Sequence, residues 1–172
     1  MKMKYAISVA FSHNSKLLIL DEATSGLDPI MRDEILDMLS AVKLSGKFEF
    51  AGIDSSAAPS KNCASMTKVY ELMGLPYFGA AGSVEVSALL TKVFKSIQHV
   101  PLVGFSGLML AVTEDLGLAE GTQKHYFDIR ALLTYSAVCG IGLDTVPVAG
   151  NAKAETIAAI MRDTRTMAFR LN

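Results

Sequence analysis

The sequence predicts an α/β fold of mainly parallel strands alternating with helices. Short aliphatic runs at residues 16–20, 48–53, 108–112 and 143–148 are separated by longer stretches with apolar residues at helical spacing, the pattern of strand–helix–strand crossovers. Of the 172 residues 51% are hydrophobic and 19% charged, the composition of a globular chain and not of a disordered tail. That length suffices for one domain of ordinary size, and no internal repeat or low-complexity segment interrupts it.

The elements follow in order. Residues 3–12 suit a short helix, and 16–20 a strand buried on both faces. Asp28 is placed to cap a helix with Pro29 in its first turn. Residues 30–44 carry Ile35, Leu36, Leu39 and Val42 at helical spacing, with Gly46 beyond. A second strand is expected at 48–53, helices at 60–73 (closed by Gly74) and 83–96, a strand at 108–112, a helix at 127–138 and a strand at 143–148. A last helix from about Lys153 aligns Ile157, Met161, Thr164 and Ala168 on one stripe. Strand 16–21, helix 30–44 and strand 48–53 have the lengths of one right-handed βαβ unit. That unit would make the two strands parallel neighbours, with Asp21 and Asp54 at the same end.

Charge and composition narrow the function. A net charge of −1 with interspersed signs leaves no electrostatic footprint for nucleic acid, and tryptophan is absent. The longest apolar stretch, near 100–112, is broken by Pro101, Gly104, Ser106 and Gly107 and falls short of the ~20 residues that span a bilayer. Cys63 and Cys139 lie far apart and form neither a disulfide framework nor a metal cluster. With no secretory leader at the start, the expectation is a cytoplasmic protein.

The stretch LLILDEATSGLDP, residues 17–29, resembles the Walker B and D-loop region of ABC transporter ATPases, and residues 1–16 resemble the helix after that family's signature motif. The resemblance implies that Asp21 supports a magnesium ion, that Glu22 polarises the attacking water as catalytic base, and that Ser25, Gly26, Leu27 and Asp28 form the D-loop of a nucleotide-binding subunit paired with a membrane transporter. ATP and magnesium would be the cofactors of that alternative. The rest of such a machine is missing from the sequence. Gly46-Lys47 has Ala41 at the first glycine position of a phosphate loop and Phe48 at the Ser/Thr position, and the next histidine after His13 is His99. Two carboxylates without a basic cradle repel phosphates. The plainer reading of Asp21-Glu22 is a strand-end acidic pair facing water.

From residue 48 onward the motifs FAGIDSSAAPS, FSGLMLAVTED, CGIGLDTVPVAG and AETIAAIMRD resemble an uncharacterised family, domain-of-unknown-function family 711. The resemblance implies a pyruvate formate-lyase-like α/β barrel, of which this chain would carry a central slice, and it supplies no activity or cofactor. Two pieces are therefore expected, an ABC-ATPase-like strand–helix unit at 1–44 and a barrel fragment at 48–172, with a seam near 40–47. A fused or truncated frame is the simplest account, and unpartnered strand edges and apolar faces predict self-association.

Candidate site residues come from α/β topology, in which ligands collect beyond the carboxyl ends of parallel strands. Asp54, Ser55 and Ser56 follow one expected strand, Glu114 and Asp115 follow another, and the turn 139–142 leads to Asp144. Three polar clusters converging at one face would hold a small polar ligand or a metal. N-capping of the next helix is the alternative for Asp54 with its serines, and for Glu114-Asp115 the alternative is first-turn acids favoured by the helix dipole. Cys139, flanked by Gly140, is a candidate nucleophile, against the commoner inert buried thiol. His99 and His125 have no evident partners.

Overall fold

Capping chemistry fixes where most of the helices begin and end. The computed structural model of the chain describes residues 2–13, 15–20, 37, 41, 49–57, 59, 63–98 and 101–171. The chain divides into two compact units, Met1–Phe50 and Ala51–Asn172. In the first, helix α1 (Lys2–Ser12) matches the expected helix and buries Ile7. It closes where the Ser12 hydroxyl donates to the Val9 carbonyl at 2.7 Å.

The second unit holds five helices among the described residues: α2 (Met66–Leu72), α3 (Ser83–Lys95), α4 (Leu116–Gln123), α5 (Ile129–Ser136) and α6 (Ala154–Leu171). The expected helix at 60–73 starts late because Ser65 is the cap, its Oγ accepting from the Thr67 amide at 3.1 Å. It ends as the sequence suggests. Gly74, at φ +96°, turns the chain so that its amide bonds Glu71 O and the Leu75 amide bonds Tyr70 O, a Schellman ending. α4 ends the same way with His125 in the left-handed position, its amide on Thr122 O and that of Tyr126 on Gly121 O. α5 starts at Asp128, whose carboxylate accepts from the Ala131 amide at 3.0 Å and pairs with Arg130. α3 carries Glu85 in its first turn and Lys92 and Lys95 in its last, in the sense the helix dipole favours.

Helix α2 packs on α4, α3 on α5, and α5 on α6. Phe78, buried in the connection between α2 and α3, gathers the core, with ring centroids 4.8 Å from Tyr70, 5.0 Å from Phe127 and 5.1 Å from Tyr135, all edge-on. This is the geometry that ring quadrupoles prefer. Leu108, Leu110, Val112, Leu118 and Leu132 complete the apolar cluster. Two buried hydroxyls are satisfied inside it, the Tyr70 hydroxyl sharing a bond with Ser87 Oγ at 2.7 Å and Ser87 Oγ donating to Ser83 O at 2.7 Å. Burial drives the Tyr70 phenol well above its ordinary pKa, against the opposing pull of the Ser87 bond.

The expected strands fare differently from the helices. Residues 17–20 carry no strand assignment, and Leu17 and Ile19 are 72% and 78% exposed, so that run is not a strand buried on both faces. Residues 108–112 are buried, Met109 partly, but unladdered, and 143–148 are unladdered and part-buried to exposed. Among the described residues the sole pairing is an isolated parallel bridge between Ile53 and Leu102. In it the Ile53 amide donates to Pro101 O and the Val103 amide to Ile53 O, each at 3.0 Å. The partner observed for Ile53 is thus Leu102. The expected helix at 30–44 falls almost wholly, and Asp21, Glu22, Ser25, Gly26, Leu27 and Asp28 entirely, outside the described residues.

Candidate functional site

Immediately past the Ile53–Leu102 bridge, both segments turn into polar loops that grip one another. Asp54 Oδ1 accepts from the Ser56 amide at 2.9 Å, the Ser56 hydroxyl at 2.6 Å and the Ser106 amide at 3.1 Å, while Oδ2 accepts from the Phe105 amide at 3.1 Å. Gly104 makes this possible. At φ +66° it lies against the Asp54 carboxylate with no room for a Cβ, and it aims the next two amides at the carboxylate oxygens, a concave arrangement of N–H groups suited to an anion. Ser106 continues the turn at φ +41°, its hydroxyl donating to Val103 O at 2.8 Å and accepting from the Ser55 amide at 3.2 Å. Ser55 Oγ donates to Phe94 O at the end of α3 at 2.8 Å, and Ser56 Oγ accepts from the Gly107 amide at 3.3 Å.

The Asp54 carboxyl is exposed, and its pKa lies below the ordinary aspartate value. What burial there is raises it, and the bonds from Ser56, Phe105 and Ser106 together outweigh that effect. A depressed folded-state pKa contributes stability that is complete above the unfolded value of about 3.9 and is lost as pH falls through the folded value. Carboxyl-carbon NMR across acid pH is expected to find Asp54 titrating below the ordinary aspartate midpoint. A midpoint at or above that value would mean that the loop bonds do not persist in solution.

A second carboxylate is handled differently. Asp115 is buried and caps two helices at once. Its Oδ1 accepts from the Leu118 amide at 3.1 Å, opening α4, and from the Ser65 hydroxyl, while Oδ2 accepts from the Met66 amide at 2.7 Å at the start of α2. Asp115 thus stands as the cap ahead of α4 and not as an acid within its first turn, which holds none. Glu114 beside it is exposed and borders an open cleft of about 460 Å³ with Cys63, Ser65, Asp115 and Glu120. Among the described residues no group of three or more His, Cys, Asp or Glu side chains has a metal-binding arrangement.

Of the three expected polar clusters, two meet. Gly107, whose amide bonds Ser56, lies with its backbone against that of Gly140, and the Gly140 amide donates to Leu108 O at 3.2 Å. The 139–142 turn thus joins the Asp54 loops, whereas Asp115 lies beyond the far end of segment 108–112. Cys139 is partly buried against the core. Its Sγ accepts from the Gly142 amide at 3.1 Å and bonds the Gly142 and Ser136 carbonyls, so the thiol pins its own turn. Asp144 is exposed. His125 serves the end of α4, and His99 lies outside the described residues. Ser106, Gly104 and Ser65 were not singled out by sequence reasoning. Ser106 lies in the FSG motif, and Ser65 stands just ahead of an apolar-periodic run, the position of a cap.

The comparisons bear on the larger unit. Residues 34–172 match a family described as Uncharacterised ACR (DUF711). Similar proteins include a UPF0210 protein of Syntrophobacter fumaroxidans, 33% identical over 118 residues (66% of this chain, 26% of the relative). A UPF0210 protein of Pyrobaculum aerophilum is 33% identical over 127 residues (72% and 28%), and one of Listeria monocytogenes serotype 4a is 34% identical over 120 residues (66% and 26%). The chain spans little more than a quarter of the length of these curated relatives. No solved structure matches it. Among the described residues no helix is long and apolar enough to cross a membrane. The match over residues 34–172, most of the chain, makes this protein a member of the DUF711 family.

Proposed function

We propose that this chain carries the ligand-facing edge of an α/β barrel of the pyruvate formate-lyase-like type, and that the edge takes a small polar molecule at the Asp54 loops. The observation that carries the reading is the parallel Ile53–Leu102 bridge opening directly into residues 54–56 and 103–107, since ligands in parallel α/β folds gather at the carboxyl ends of the strands. Oδ1 of Asp54 is saturated by three donors, while Oδ2 has one. The ligand would therefore present an N–H or O–H group to Oδ2. Glu114, Asp115 and Asp144 do not belong to this proposed site. The family has no established activity, so the reading is one of binding; an enzymatic step would require parts of the longer family proteins.

The test is a thermal-shift screen of the whole chain against small polyols, amines and amino acids, followed by calorimetry of any hit with the wild-type chain and Asp54→Asn. Binding that weakens tenfold or more in the variant supports the proposal. Hits that bind Asp54→Asn as tightly as wild type, or an empty screen at millimolar concentrations, overturn it and leave Asp54 a staple between two loops.

The domain division at 1–44 and 48–172 is part of the same reading. Support comes from the two compact units meeting at residue 50, though the family match begins within the first piece, at residue 34. A nucleotide-binding role for Asp21, Glu22, Ser25, Gly26 and Asp28 draws no support from the family or the relatives. We further propose self-association, because Leu17, Ile19, Leu72 and Leu116 stand exposed and such surface favours association. Sedimentation velocity is expected to report species larger than 18.4 kDa, and a single monomeric boundary at all concentrations would refute it.

A further inference from the structure

We draw no further inference here: the strongest candidate, the outer face of α6 carrying Arg162, Arg165, Phe169 and Arg170, is an unpartnered helix face, and nothing in the structure shows what covers it.

Discussion

Phe78→Ala is expected to destabilise the chain by about 3–5 kcal/mol, the range for deleting a fully buried phenylalanine ring. Three aromatic partners lose their edge-on contact at once, Tyr70, Phe127 and Tyr135, and each such pair is worth roughly 0.5–1.5 kcal/mol beyond its area. Small domains are stable by only about 5–15 kcal/mol, so the variant would approach the unfolding threshold. The measurement is urea denaturation followed by far-UV circular dichroism, with Phe78→Leu as a milder companion expected to fall between wild type and alanine. Loss of under about 1 kcal/mol in Phe78→Ala would mean the ring cluster is not the centre of the core.

Asp115→Ala is expected to cost about 2–4 kcal/mol. Two helix starts lose their acceptor together, each worth about 1 kcal/mol, and the Met66 and Leu118 amides and the Ser65 hydroxyl are left without it in a buried place, where an unsatisfied donor costs about 1–3 kcal/mol. Asp115→Asn separates the contributions. One amide oxygen can still cap α4, while the amide nitrogen cannot accept from Met66, so an intermediate loss is expected. Equal losses in the two variants would indicate that the negative charge, not the pair of caps, is what matters at this position. The readout is again the urea midpoint, which at a slope of about 2 kcal/mol per molar would move by about one to two molar for the alanine variant.

Helix positions were legible because their signals are local. The helix expected at 83–96 is found at Ser83–Lys95, and that from about Lys153 at Ala154–Leu171. Where the start was misjudged, at 60 instead of Met66 and at 127 instead of Ile129, the true caps were Ser65 and Asp128, residue types that announce a cap only once the competing start is discarded. α4 escaped notice because LGLAEGTQ holds two glycines and so has weak intrinsic helicity. It is held by Asp115 in front and the left-handed His125 behind. Strands were less legible: of the expected runs, only that ending at Ile53 is paired among the described residues. An aliphatic run such as Leu108 to Val112 tells that it will be buried, and it is. Whether it finds a hydrogen-bonding neighbour depends on chain far away in sequence, which periodicity cannot report. The Asp54 cluster was legible as a group of polar residues after a strand, but its partners, Gly104 to Gly107, became apparent only when the fold brought the two loops together.

The Gly107–Gly140 crossing has a consequence for how the two segments can be aligned. Their main chains touch because neither residue has a Cβ, and one added at either position would strike the other's backbone. A slip of one residue along either segment would present Ser106, Leu108, Cys139 or Ile141 to the crossing, and each of these has the atom that does not fit. In a sheet, register is enforced by a row of hydrogen bonds and an alternating face. Here, in chain without a ladder, the crossing works as a gauge that admits one alignment and rejects its neighbours by the volume of a single carbon.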